Sequence, residues 1–337
     1  ALLSKTGVGS QTELVRLLVS LNGAADDRGA GSSKFVRRGE TFRFRQRDGR
    51  MVPFHRFGPA DGKPFILFHG MLDGCDLTEA AADLLDAHGL TLFAPERPYF
   101  GSAAGAEGTI KSAPARFACD VEDLMDHLDL PRAGLIGHMA GSIYAFAAGA
   151  HLGERATAII SVAGGVPILS ADQFTPMSPR QRLVAYTARY TPKLLPFVLR
   201  AGIRQLDFGG EENFMRALYE QAPADLAAID HDDVAEIVAS GYHFTIAQGH
   251  RAFEIDSYQV VRDWSATVAR STAPVTLIHG RHDPVVHIAS VEAFAARLGN
   301  RAQLCTDDNA GQLIFYSNPD FVFDALTGAG GRAGAPA

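Results

Sequence analysis

The stretch Leu135-Ile136-Gly137-His138-Met139-Ala140-Gly141 is where the residue types and their spacing come closest to a chemical device. Two glycines flank position 139, each separated from it by one residue. In the pattern G-x-S-x-G, glycines so placed let a tight strand-to-helix turn push one nucleophilic side chain out over a sheet. Glycine is required there because the turn is strained and neighbouring backbones crowd it. In this chain the residue pushed out is methionine. A thioether is a weak acceptor with no proton to lose, so it cannot attack a carbonyl as an activated hydroxyl does.

Such a turn needs a strand before it and a helix after it. Ala133 to Ile136 reads as a short buried strand, and Ser142 to Ala150 as a small-residue helix. Upstream, Thr41 to Gln46 and Met51 to Phe57 alternate around Asp48-Gly49, which predicts a hairpin. Phe65 to Phe68 reads as a buried strand ending at His69-Gly70-Met71. Residues 78–88 then read as a helix, Thr91 to Ala94 as a strand and Pro114 to Leu128 as a helix. Strands resume at Ala158 to Val162, Val275 to Ile278 and Ala302 to Cys305, and a helix closes the order at 319–326. This alternation predicts an α/β fold with right-handed crossovers and a mostly parallel sheet. Between Pro167 and about Trp264 the strand signals fade, and helical stretches are predicted at 179–190, 193–204, 211–221 and 224–240. That is too long for a loop and reads as a helical insertion. The expected organisation is a linker at 22–39, a core at 40–166 and 271–327, a helical cap at 167–270 and a disordered Gly-rich tail at 328–337.

The 337 residues carry 47% apolar and 20% charged side chains, ordinary values for a folded domain. No apolar run reaches the length of a membrane span, no signal peptide opens the sequence, and no membrane partner is expected. The three cysteines, Cys75, Cys119 and Cys305, are widely spaced and give neither a disulfide framework nor a metal pattern, so a cytoplasmic location is the default. His243 and His250 lie seven apart with no Cys or carboxylate cluster nearby, and neither a metal nor a cofactor is expected. A net charge of −7 argues against nucleic-acid binding by this stretch as a whole.

Residues 1–21 differ in pattern from the rest of the chain. Ser10 and Glu13 have capping-box spacing, and Leu14, Val15, Leu17, Leu18 and Leu21 then form one helical face. The order Leu2 to Val8 and then Gln11 to Leu18 resembles the end of a LuxR-type helix-turn-helix domain, its recognition-helix tail and closing helix. The same pattern also suits an amphipathic helix packed on the domain. On the first reading the chain starts within the motif. Most base-reading positions would then lie upstream of Ala1, and DNA would be reached only through that part.

The landmarks from about residue 40 to 326 resemble the α/β-hydrolase fold with a helical cap. Phe68-His69-Gly70 is similar to the strand that leads to the oxyanion hole in that family. Ala94 to Ser102 is similar to the family's P-D-x-P-G-x-G-x-S loop, with Glu96 in place of Asp. Gly280-Arg281-His282-Asp283 is similar to the strand end that presents the acid of a catalytic triad. Asn309-Ala310-Gly311-Gln312 stands where the family reads Gly-His. The resemblance therefore implies triad positions Met139, Asp283 and Gln312, of which only Asp283 keeps the family's residue type. Glutamine does not take up a proton near neutral pH, so nucleophile and base are lost together.

The resemblance implies a pocket formed by Met71, His69, His138, Met139, Ala140, Asp283 and Gln312. In it the N–H groups of Met71 and Ala140 face an acceptor or anion, and Gln312 hydrogen-bonds Asp283. The aromatics Phe174, Tyr186, Tyr190, Phe197, Phe214, Tyr219 and Phe253 either roof that pocket or form the cap's own core. His138 and Ser142 are expected to point into packing, His69 to be a scaffold residue, and His282 and His287 to lie in a surface loop. Asp120, Glu122 and Asp123 read as a solvated helix face. The functional expectation is a small-molecule sensing module of a LuxR-type regulator, taking a small, partly apolar ligand and working as a homodimer. The alternative is an active enzyme of the same fold, esterase-, lactonase- or lyase-like, with a non-standard site.

Overall fold

The computed structural model describes residues 36–37, 39–199, 216 and 218–328. The helix-turn-helix reading of residues 1–21, the residues of the linker before Val36, Phe214, residues 200–204 and 211–215 and residue 217 of the predicted helices 193–204 and 211–221, and the tail beyond Gly328 lie outside the described residues. The chain divides after Lys34, and every described residue belongs to the second unit.

The strands are β1 (Val36–Arg37), β2 (Glu40–Arg45), β3 (Met51–Phe57), β4 (Lys63–Phe68), β5 (Leu77–Thr78), β6 (Leu90–Pro95), β7 (Ala133–His138), β8 (Ala156–Val162), β9 (Val275–Gly280) and β10 (Ala302–Asp307). Eight of them form one sheet in the order β10-β9-β8-β7-β4-β6-β3-β2. The hairpin β2–β3 and the pair β3–β6 are antiparallel, and every other neighbouring pair in this sheet is parallel. The central strands β6 and β7 are buried along their whole length, as continuous apolar runs must be when helices cover both faces. At the edge, β2 exposes all but Phe44, and the predicted Asp48-Gly49 turn is present with Gly49 at φ +88°.

Helices α1 (Glu79–Ala87), α2 (Ala113–His127) and α3 (Gly141–Leu152) belong to the core. The insertion carries α4 (Pro179–Tyr190), α5 (Pro223–Ile229), α6 (Asp232–Ile246) and α7 (Arg251–Gln259). Helix α8 (Ser265–Arg270), placed in the cap by the expected 167–270 boundary, packs on α3 and belongs with the core, which α9 (Ile288–Leu298), α10 (Ile314–Ser317) and α11 (Pro319–Thr327) complete. Two apolar clusters lie on the two faces of the sheet. One holds Leu67, Leu85, Ile136 and Phe323, the other Phe68, Phe117, Ile143 and Phe294. A third, smaller cluster around Phe174, Ala188 and Leu199 is the cap's own.

Two local expectations change. Val36 and Arg37, assigned to the linker by composition, pair with Leu77 and Thr78 in a small second sheet. Thr78 therefore ends a strand and caps α1, its Oγ1 accepting from the Ala81 N–H at 3.2 Å. Asp120 is not solvated. It is buried on α2, where it meets the Arg50 guanidinium from the hairpin at 2.8 Å. Burial pushes its carboxyl up to about 6, opposed by Arg50. Glu122 and Asp123 are half-buried and pair with Arg47.

The cap is joined to the core by a buried ion pair. Arg97, in the loop after β6, donates from both terminal nitrogens to the Asp256 carboxylate of α7 at 2.7 Å each. Tyr144 of α3 donates its hydroxyl to Asp256 at 2.7 Å, and Arg97 also donates to the Gly70 carbonyl at 2.8 Å. The guanidinium lies between the Phe100 and Tyr144 rings, 4.3 and 4.2 Å from their centroids. Removing one partner of such a pair leaves an uncompensated buried charge. Arg97→Met is accordingly expected to lose about 3–5 kcal/mol of stability by urea denaturation. Arg97→Met combined with Asp256→Leu is expected to recover most of that loss.

Candidate active site

The C-terminal ends of the parallel strands converge under the cap, the edge at which open α/β sheets take their ligands. β4 runs into His69-Gly70-Met71, β7 into Met139, β9 into the Asp283 loop and β10 into the Gln312 loop. The turn after β7 has the geometry its glycines require. Met139 sits at φ +48°, a left-handed conformation that a non-glycine residue adopts only under strain. A Cβ on Gly141 would fall 1.9 Å from the Phe68 carbonyl oxygen, and one on Gly137 would fall 2.4 Å from the Ser142 Cα. Neither position tolerates a side chain. The elbow is fully built, with a thioether at its apex.

Under the cap lies a cavity of about 300 Å³, lined mainly by apolar side chains. Met71, Met139, Ala140 and Gln312 line it, four of the seven pocket positions expected from the sequence. Among the described residues, the Met71 and Ala140 backbone N–H groups meet no backbone acceptor. The loop carrying Met71 is fixed from above, because Thr245 of α6 donates its hydroxyl to the Met71 carbonyl at 2.7 Å. Of the aromatics considered as a roof, Tyr219 and Phe253 line the cavity, whereas Phe174 is wholly buried in the cap core. Tyr186, Tyr190 and Phe197 face outward. His287, expected in a surface loop, is exposed and also borders the cavity.

The other three pocket positions lie behind the wall. His69 is wholly buried; its Nδ1–H donates to the Gly70 carbonyl at 3.0 Å and its Nε2 accepts the Arg97 N–H at 3.3 Å. Burial, then the nearby Arg97 charge, holds its pKa well below the ordinary value, so it is a neutral brace. His138 is also wholly buried, its Nδ1 hydrogen-bonded to the Asp73 carboxylate and its ring packed against Phe315 and Tyr316 at 5.2 Å. Tyr316 donates to the same carboxylate at 3.2 Å. Ser142 donates to the Gly137 carbonyl at 3.0 Å and accepts from Ser161 at 2.9 Å, which leaves it in packing as expected.

Asp283 is buried too, with Oδ1 accepting the N–H groups of Val285 and Val286 at 2.7 and 2.9 Å. Its Oδ2 has no hydrogen-bond partner, so the expected bond from Gln312 is absent. The reason lies in how the Gln312 loop is held. Asp225, at the start of α5, accepts the backbone N–H groups of Gln312 and Leu313 at 3.1 and 2.8 Å. A Cβ on Gly311 would lie 2.5 Å from those carboxylate oxygens, so only glycine lets the loop come this close. Burial pushes Asp225 up to about 6, opposed by the Leu313 and Gln312 N–H groups. Sequence reading missed this residue: Pro223-Ala-Asp225 signals a helix start but names no partner.

Among the described residues no group of three or more His, Cys, Asp or Glu could hold a metal, and no helix is long and apolar enough to cross a membrane.

This sheet order, cap and glycine-built elbow define the class. The family profile described as alpha/beta hydrolase fold matches residues 63–319, and the chain belongs to that family. It is similar to the structure of a hydrolase from Pseudomonas aeruginosa PA01, with a TM-score of 0.62 and 18% identity over 87% of this chain and 99% of that one. An enol-lactonase from Burkholderia xenovorans LB400 gives a TM-score of 0.58 and 14% identity over 85% and 98% of the two chains. The esterase RhEst1 from Rhodococcus sp. ECU1013 gives 0.59 and 17% over 85% and 97%. No curated protein sequence matches the chain significantly.

Burial raises Asp283 to about 7 from an ordinary 3.8, so the folded protein keeps a proton that the unfolded chain releases. The stability linked to that proton is fully present below pH 3.8 and is lost as the pH rises through about 7. Asp283→Asn removes the ionisation while keeping an oxygen for Val285 and Val286. Its melting temperature is expected to gain on that of the natural chain as pH rises across this window and to level off above it, as read by thermal melts.

Proposed function

We propose that the chain is a catalytically impaired α/β-hydrolase-like domain that senses a small, partly apolar molecule for a LuxR-type transcriptional regulator. One observation carries this reading. The elbow keeps its strained φ at position 139 and its two indispensable glycines, yet holds a side chain with no proton to transfer. Gln312, at the position the family gives to the base, lines the same cavity and is equally unable to accept a proton. In a serine hydrolase, loss of nucleophile or base alone costs on the order of 10⁶ in rate. The wall that remains is mostly apolar, with the Met71 and Ala140 N–H groups available to a carbonyl or anion. The regulator part of the proposal rests on the resemblance of residues 1–21. It implies a cytoplasmic homodimer that reaches DNA through the helix-turn-helix.

The alternative, an active enzyme with a non-standard site, has His138 as its best-placed base, because that ring is already hydrogen-bonded to Asp73. Its Nε2, however, is buried without a partner and His138 does not line the cavity. Turnover of p-nitrophenyl esters by the natural chain, abolished in His138→Ala, would establish this alternative.

Two outcomes are expected on the sensing reading. Met139→Ser and Gln312→His should each leave ester hydrolysis at background, and the double variant should show measurable turnover, because Asp283 already stands at the acid position. In a thermal-shift screen of acyl and aromatic acids, esters and lactones, at least one class should raise the melting temperature. No stabilisation by any of them would remove the sensing role.

A further inference from the structure

The roof of the cavity has a second face that the ligand reading does not use. Helix α4 points Val184 and Ala185 into the cavity, and the segment after it adds Leu199. On the outer side Leu183, Tyr186 and Tyr190 follow helical i, i+3, i+7 spacing and are 58%, 41% and 61% exposed. Leu194 and Phe197 extend the same exposed set at 54% and 65%. The Tyr186 and Tyr190 rings stack at 5.9 Å. These five residues are most of the large apolar side chains exposed among the described residues. A helix apolar on both sides is ordinarily covered on both, and an exposed apolar patch of this kind marks a docking surface.

Charge identifies the occupant. From Gln173 to Leu199 the sequence has four basic residues, Arg180, Arg182, Arg189 and Lys193, and no acidic one, in a chain of net charge −7. A second copy docked through the same patch about a two-fold axis would set this basic stretch against itself. Double-stranded DNA offers phosphates, but it takes up Leu and Phe side chains only where base steps are unstacked to admit them. An anionic lipid surface satisfies both properties: acyl chains receive Leu183, Leu194 and Phe197, aromatic rings sit at the headgroup level, and the exposed Lys193 and half-buried Arg182 beside them meet the lipid charge, whereas Arg189 is turned inward onto the Ile168 and Val261 carbonyls.

We propose that the outer face of α4, together with Leu194 and Phe197, docks on an anionic lipid surface. This holds whether or not the cavity is a sensor. It also gives the apolar cavity a source of ligand, because the same helix separates lipid from the cavity interior.

The test is co-sedimentation of the full chain with phosphatidylcholine vesicles, plain or containing about 30% phosphatidylglycerol. The protein is expected to pellet with the anionic vesicles and not with the plain ones, and to be released by high salt. Leu183→Ser/Tyr190→Ser/Phe197→Ser and, separately, Arg182→Glu/Lys193→Glu are each expected to weaken binding about tenfold or more with the melting temperature retained. None of these residues lines the cavity, so the ligand screen should be unaffected, and failure here is distinguishable from failure of the sensing role. The charge variant keeps the test decisive if the apolar triple variant is poorly folded. The proposal is overturned by absence of binding to anionic vesicles, or by binding that both variants retain. It is equally overturned by a dimer in sedimentation velocity that the apolar variant dissociates, or by binding to double-stranded DNA that the charge variant abolishes.

Discussion

The structure depends on one buried charge that cannot be neutralised. Arg97 is wholly enclosed, and a guanidinium does not shed its proton in a protein. Asp256 therefore has to meet it, and Asp256 lies on a cap helix. The same cluster takes in Tyr144, on the helix after the elbow, and the carbonyl of Gly70, in the loop after β4. His69 joins through its bond from the Arg97 N–H. Cap, elbow helix and the Met71 loop are thus tied to a single ion pair, and the cavity between them inherits its shape from that pair.

The turn after β7 keeps the whole of its scaffold with Met139 at its apex. Strain at a functional turn is ordinarily retained because chemistry uses it. Here the positive φ at Met139 survives without a nucleophile, and the packing explains why. Gly141 approaches the Phe68 carbonyl, and Gly70 lies against the Met139 Cβ, so a relaxed turn would push β7 and β4 apart. The elbow is part of the core's architecture. Its thioether forms part of the cavity wall, a suitable use for a flexible, polarisable side chain.

Legibility in the sequence was set by distance along the chain. The strands, the elbow and the hairpin turn were legible because period-2 and buried-run patterns and glycine spacing are local signals. The antiparallel start of the sheet and the order of landmarks gave the fold. The residues that seat the cap were not legible. Arg97 and Asp256 are 159 positions apart, and nothing near either names the other. Asp120 looked solvated because its partner, Arg50, comes from the hairpin turn 70 residues earlier. The expected Gln312–Asp283 bond assumed a free loop, whereas Asp225 holds that loop by its backbone. His69 and His138 sit at the right places in sequence for a pocket but turn inward, a choice made by Arg97 and Asp73.

The grip of Asp225 on the Gln312 loop has a mechanical consequence. One carboxylate of the cap takes two successive main-chain N–H groups of a core loop, across a glycine with no room for a methyl group. Wall and lid therefore cannot be displaced independently: raising α5 strips the loop of its anchor, and shifting the loop strips α5 of the donors that satisfy its carboxylate. Gln312 borders the cavity, so a displacement of α5 reaches the cavity wall through this loop although α5 itself does not line it.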